Sequence, residues 1–429
     1  MKYKLCILLS IVIMATCLVF CACHTHEYGE WEVTSYPTCV QEGEKQRVCQ
    51  CGNKEVEPVH KDVYAHVFDG DEVCKLCNFN LAENCVAKMD ISAGVNSLVN
   101  AFVISREDGL CNLYVVGNGA TKDFVASQSL GTIDFDIEKI YIGNGITNIG
   151  KNIFYNCHTV VEVMMSNSIT SIGKQAFFKC ESLERIRLST SLESIGSAVF
   201  AVCRNLKSID IPQGVKELGD LAFNQCTSLE RLFIPSSVTT IGMGAVSVCL
   251  SLTNITVAPG NPSYKSVDGN LYSKDGKVLL QYAIGKTANS FVIPDGVTTV
   301  GAYAFSRCDY LTQITLPKGV IIVDDYSFGS CKKLAQIEFP QSLEKIAHGS
   351  FMGCESLTSV TIPVNVKQID NSAFSLCKNL VSATFVNPTG WYVTKTQGAS
   401  SGEEVSLGSP EENANYLCGK YSLHYWYCN

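Results

Sequence analysis

The sequence predicts a β-rich α/β solenoid, in which short parallel strands and short helical turns wind into stacked 23-residue units. Three observations predict it. The same apolar columns return every 23 residues from Ile146 onward, and a fixed period of roughly 20–50 residues marks a repeat architecture. Within a unit, apolar residues alternate with period two before a corner, as Leu232 and Ile234 do ahead of Pro235. Hydrophobic residues make up 46% of the 429 positions and charged residues 17%, which can fill one long core and excludes disorder as the overall state. Lys and Arg total 33 against 41 Asp and Glu, for a formal charge of −8. No chain-wide basic field exists, so no nucleic-acid partner is expected.

Taken from the start, residues 1–22 read as a signal peptide. Lys2 and Lys4 precede an uncharged, mostly apolar run from Leu5 to Phe20, and Cys21-Ala22-Cys23 follows. The run is short against the roughly 20 residues a membrane-spanning helix needs. Ala22-Cys23 is similar to the end of a bacterial lipobox, which implies a lipid on Cys23. Phe20 and Cys21 stand where smaller or aliphatic residues are usual, so lipidation at Cys21 and ordinary secretion are the alternatives. The expected location is extracytoplasmic, on the cell surface as a membrane-anchored lipoprotein or secreted.

Residues 23–81 form a small Cys/His-rich module. Cys49-Gln-Cys51 and Cys74-Lys-Leu-Cys77 are spaced like metal knuckles, with Cys39, His60 and His66 in reach. Four such ligands suit tetrahedral zinc, which can supply stability that so short a module lacks. Two disulfides, favoured in exported compartments, are the other reading, and unpaired thiols a third. No other cofactor is expected. The stretch also resembles Cys-rich modules near the N-termini of bacterial surface proteins.

The solenoid spans 82–386, with an opening coil at 109–145, repeats at 146–260 and 297–386, and a hairpin insertion at 261–296. One unit, Val215 to Ser237, shows the logic. Leu229, Leu232 and Ile234 place a strand, Ala222, Phe223 and Cys226 share one side of a helical turn, and Gly219 and Pro235 mark corners. A lone unit cannot bury its apolar edge, so neighbours stack around a continuous core. This is a leucine-rich-repeat type of scaffold. The pattern x-I-G-x-x-A-F-x-x-C-x-x-L-x-x-I-x-I-P resembles the BspA-like class of leucine-rich repeats, carried by bacterial surface proteins and some protist ones. The resemblance covers about Gly109 to Pro388 and departs at Val246, where Phe is expected, and at Asp324, Ala347 and Asp370, where Gly is. Those departures put local turn geometry in doubt. In the insertion, Asp268-Gly269 and Asp275-Gly276 read as hairpin turns.

Nine cysteines form one repeat column: Cys157, Cys180, Cys203, Cys226, Cys249, Cys308, Cys331, Cys354 and Cys377. Parallel Cβ vectors would hold their sulfurs about one rung apart, far beyond a bond of about 2 Å. The column therefore reads as a ladder of buried thiols. Cys418 with Cys428, and Cys85 with Cys111, are candidate bridges outside it. The tail 387–429 is an aromatic C-terminal cap for the open end of the stack, and Trp391 or Trp426 offers a sugar-stacking surface.

No G-x-S-x-G, H-E-x-x-H or Walker pattern occurs, so no enzyme is expected. Residues flanking the inward column of each strand point outward. Met164, Arg185, Arg187, Asp210, Arg231, Phe233 and Thr256 thus form an expected ligand-binding face, rich in the Arg and aromatic side chains of interface hot spots. The family resemblance implies adhesion to host or cell proteins. The alternative is a carbohydrate-binding or structural envelope component. The expected partners are an extracellular protein or glycan, and the membrane through an N-terminal lipid.

Overall fold

The computed structural model describes residues 28–29, 31–49, 52–62 and 65–428. The segment 1–22, Cys23 and Cys51 lie outside the described residues. The chain forms two compact units, Met1–Val67 with Cys74–Phe79, and Phe68–Val73 with Asn80–Asn429. The boundary expected near residue 81 is therefore crossed more than once. Residues 68–73 join the second unit because Val73 bridges to Asn80, Glu72 O accepts from Leu81 N, and Phe68 sits edge-on to Tyr114.

The first unit holds three antiparallel strands, Glu32–Ser35, Gly43–Val48 and Lys54–Val59, ordered as in the chain. Lys45 pairs with Glu57 at 2.8 Å and Arg47 with Glu55 at 2.5 Å across the sheet. Both cations also lie over the Trp31 ring. The two outer strands are almost wholly exposed. Among the unit's described residues the buried apolar side chains are Cys39, Cys49, Ala65 and Cys74.

The second unit opens with antiparallel strands Ala87–Asp90, Leu98–Ser105 and Cys111–Ala120. The third of these turns the fold parallel, pairing with Ile137–Ile142 along one half and Ile146–Ile149 along the other. From there the coils build two parallel ladders, the broad one interrupted at Ser208–Asp210. The broad one carries strands such as Glu162–Met165, Arg185–Arg187, Arg231–Ile234 and Asn254–Val257. The narrow one is two residues wide and aligns Ile149, Ile172, Ile195, Leu218 and Ile241, then Val300, Val323, Ile346 and Ile369. Partners in both ladders stand 23 residues apart, so the sequence period is the hydrogen-bond register.

The short turns of each coil take a particular form. Residues before Ala and before Cys adopt positive φ, as at Leu221 (56°) and Gln225 (61°). Such residues cannot continue a right-handed helix. Alternate N–H groups consequently face the next coil: Gln175, Phe177 and Lys179 donate to Ser197, Val199 and Ala201. All three sides of the coil are thus tied to their neighbours. Phenylalanines stack inside, with ring centroids 4.9 Å apart for Phe154–Phe177 and 5.6 Å for Phe177–Phe200 and Phe200–Phe223.

Gly219 has ordinary φ, but a Cβ there would meet Ser197 N at 2.5 Å. Asp324, Ala347 and Asp370 nevertheless keep the bond this column makes, donating to Val300, Val323 and Ile346 at 3.0, 2.8 and 2.8 Å, as Gly219 does to Ile195 at 2.8 Å. The doubt about turn geometry at these positions resolves in favour of the turn.

In the insertion, Tyr264–Val267, Asn270–Ser273 and Val278–Gln281 form two successive hairpins. Asp268 and Gly269 both have positive φ (49° and 72°), as a tight hairpin turn requires. The last strand re-enters the narrow ladder beside Thr299–Val300. Tyr282 stacks on Phe305 at 5.1 Å and continues the aromatic column that Val246 breaks. At the far end, Tyr425–Cys428 pairs antiparallel with Gln368–Ile369 and closes the ladder. Helix Pro410–Asn415 is capped by Ser409, whose Oγ accepts from Glu412 N. Asn413 from that helix donates to Ala383 O at 3.1 Å.

Candidate binding ribbon and cysteine cluster

Outward side chains of the broad ladder form a ribbon. Register brings Arg185 opposite Glu162 and Arg187 opposite Met164, then Arg231 opposite Asn254 and Phe233 opposite Thr256. Arg185, Asp210, Arg231, Phe233 and Thr256 are exposed, Phe233 to 49%, while Met164 and Arg187 are half-buried. The ribbon is not continuous. Ser208–Asp210 forms no strand, although Ile209 and Ile211 remain buried, so Asp210 stands at a break between two pieces.

The two pieces differ in electrostatics. In the first, Glu162 lies 3.4 Å from Lys139 and 3.3 Å from Arg185, a charge ladder along the strands. Arg187 folds back and donates from Nε and one terminal nitrogen to Met165 O, at 3.4 and 3.2 Å. It holds the main chain as well as lining the face. In the second, Arg231 and Phe233 project from one side of a single strand. The insertion borders this piece: Ile255 N donates to Gly269 O at 2.9 Å and Val257 N to Ser266 Oγ at 3.4 Å.

In the first unit, Cys39, His66, Cys74 and Cys77 converge, with their ligand atoms all within 4.8 Å of one another. Cys39 and Cys74 sulfurs are 3.8 Å apart, and Cys77 Sγ is 3.2 Å from His66 Nδ1. The sequence paired Cys74 and Cys77 with Cys49 and Cys51; among the described residues it is Cys39 and His66 that converge with them, and Cys51 lies outside those residues. Cys49 is held instead at the end of the sheet, where it bridges to Tyr28 and donates its N–H to Asn53 O. Exposed His60 faces Glu42 at 3.6 Å. Burial acts to raise the Cys74 thiol, yet backbone N–H groups of Leu76, Cys77 and Val67 outweigh it and leave the thiol below its ordinary value. Burial and the neighbouring Cys74 push Cys39 up to about 12. Burial lowers His66 below the ordinary imidazole value, against the opposing pull of Asp62.

Six copies of the BspA type leucine rich repeat region match residues 133–273 and 283–390. The chain belongs to this family. No curated protein matches it by sequence. Its fold is similar to that of a leucine-rich repeat protein from Eubacterium ventriosum, 28% identical over 70% of this chain and 85% of that one, with a TM-score of 0.59. It is also similar to the pneumococcal vaccine antigen PcpA, at 24% identity, 72% and 83% coverage and TM-score 0.54. A leucine rich cell surface protein from Faecalibacterium prausnitzii shares 23% identity over 70% of this chain and 96% of its own, with TM-score 0.50. Among the described residues no helix is long and apolar enough to cross a membrane.

In this BspA-type scaffold the thiol column is more than filler. Seven of its members donate to the Phe carbonyl of the preceding coil, from Cys180 to Phe154 O at 3.3 Å through Cys377 to Phe351 O at 3.0 Å. Sequence spacing predicted the burial but carried no sign of the acceptor, which lies 26 residues away. Cys418–Cys428 and Cys85–Cys111 are not bridged: Cys428 donates to Thr389 O and Cys85 to Ala82 O. Trp391 and Trp426 are each only 2% exposed. Their indole nitrogens donate to Asn387 O and Tyr421 O, so they pack the cap and present no sugar-stacking face.

Proposed function

We propose that this protein is exported, anchored through a lipid on Cys23, and uses its broad-ladder ribbon to bind a macromolecular partner at the cell surface, a protein in the first instance. The observation that carries the reading is the Arg231–Phe233 pair, exposed on one side of a strand whose backbone is fixed by its neighbours. The backbone under them has little freedom left to lose on binding, and an aromatic beside an arginine is the pairing of residue types that dominates interface energies. The flanking Asn254 and Thr256 add hydrogen-bonding groups without net charge. A partner with an apolar patch beside a carboxylate fits this chemistry. Adhesion or cell interaction is the biological role this surface supports. The repeat scaffold and its buried thiols support a non-catalytic role. Burial of Trp391 and Trp426 removes one aromatic platform a glycan reader would use.

The test is binding of the full chain to a panel of purified extracellular proteins and to a glycan array, with R231A and F233A compared on every hit. A protein hit weakened at least about tenfold by either substitution supports the ribbon. Hits that neither substitution moves, or glycan hits alone, refute it. Export and anchoring are tested separately, by incorporation of a labelled fatty acid into intact cells. Wild type should take up label and C23S should not; equal labelling would place the lipid elsewhere.

A further inference from the structure

We propose that Cys39, His66, Cys74 and Cys77 form a structural zinc site that holds the N-terminal unit together. The distances decide between the readings the sequence left open. Two thiolates on one tetrahedral zinc, each about 2.3 Å from it, stand about 3.8 Å apart; Cys39 and Cys74 are 3.8 Å apart. A disulfide needs about 2 Å, and three thiols cannot all pair among themselves. The fourth donor is an imidazole nitrogen 3.2 Å from Cys77, which contributes nothing to a disulfide but completes a Cys₃His set.

The surroundings suit a metal as well. His66 is locked by a Phe79 ring stacked at 4.4 Å and 5°. Asn78, at φ 61°, ends the Cys74–Cys77 turn by donating to Cys74 O at 3.0 Å. Val67 N points at Cys74 Sγ from 3.4 Å. Such fixed contacts orient ligands before the ion arrives. The unit also needs the site. Two of its four buried apolar side chains among the described residues are proposed ligands, and its strands bury almost nothing else. A sheet with so few buried apolar side chains among its described residues gains from a bound metal that supplies folding free energy.

The experiment uses the full chain purified with its thiols reduced, and measures bound zinc by elemental mass spectrometry in wild type, C39S, C77S and C49S. Wild type should retain zinc, and C39S and C77S should each lose about one equivalent that C49S keeps. Cobalt(II) added to metal-free wild type should give the visible spectrum of a tetrahedral, thiolate-bound ion, absent from C39S. Tryptic cleavage after Lys75, between the two knuckle cysteines, guards against variants that misfold: in wild type a chelator should expose it and zinc should restore protection. Zinc-free wild type, zinc retained in C39S and C77S, or Lys75 cleavage indifferent to chelator each overturns the proposal.

Discussion

The Cys226 thiol donates to the carbonyl oxygen of Phe200, 3.1 Å away on the preceding coil, and that same oxygen accepts the N–H of Cys203 at 3.2 Å. One carbonyl thus closes its own turn and receives the next coil. Repeated along the stack, this makes the cysteine column a further line of rung-to-rung bonds, beside the two ladders and the turn N–H groups.

Burial follows from this packing, and reactivity from burial. Burial pushes Cys249 and Cys354 up to about 12 and Cys308 to about 11, from an ordinary value of 9.0. Thiolates are the reactive form, so maleimide at neutral pH should label the ladder only after denaturant is added. The stability consequence has a definite sign. These thiols stay protonated in the folded chain and ionise first in the unfolded one. Their contribution is intact below about pH 9 and is lost as pH rises toward 12. The slope is about 1.4 kcal/mol per pH unit for each such thiol within that window. Urea unfolding at pH 8, 9 and 10 should show falling midpoints above pH 9; a flat profile is incompatible with buried neutral thiols.

The thiol's volume and its hydrogen bond can be separated at Cys226. Cys226→Ala removes both and should cost about 1–2 kcal/mol. Cys226→Ser retains a donor for Phe200 O and should cost less. Equilibrium unfolding of both variants settles the order. Alanine more stable than serine would falsify the hydrogen-bond assignment and leave only space filling.

The period, the strand positions and the Phe and Cys columns were legible because they are side-chain choices forced by burial at one step. The turn conformation was not. Positive φ falls on Gln175, Leu221 and Val248, residues with no local preference for it, and it persists because inter-coil bonds over-determine it. Tyr282 was hidden for another reason: the insertion breaks the count, so only stacking on Phe305 reveals its place. At the cluster, Cys74 and Cys77 were readable from local spacing, whereas Cys39 and His66 arrive through the chain's path and carry no spacing signal.

Asp370 illustrates how a departure from the glycine column is accommodated. It is 2% exposed, bound by Lys345 Nζ at 3.1 Å and by Gln368 Nε2 at 2.6 Å. Lys345→Met strands a buried carboxylate and should destabilise the chain by about 3 kcal/mol. Adding Asp370→Gly restores the column's usual residue, removes the charge and should recover most of the loss. A double variant no more stable than Lys345→Met would mean that the pair is incidental. The comparison is read from urea midpoints at pH 7.

Arginines on the ribbon should separate into two kinds by stability alone. Arg231 and Phe233 are exposed, and their replacement by Ala should move stability by no more than about 0.5 kcal/mol. Arg187 is half-buried with its guanidinium on Met165 O, so Arg187→Ala removes a charge-assisted hydrogen bond and its packing. That change should cost about 1–2 kcal/mol. Arg187→Lys should recover little, because an ammonium does not reproduce a planar donor pair that spans one carbonyl. Thermal unfolding of the four variants checks the division. If Arg187→Ala is as stable as Arg231→Ala, the bond to Met165 is weak and Arg187 returns to the set of residues available to a partner. If instead the expected order holds, binding losses on Arg187→Ala must be corrected for unfolding, whereas losses on R231A and F233A report contact directly.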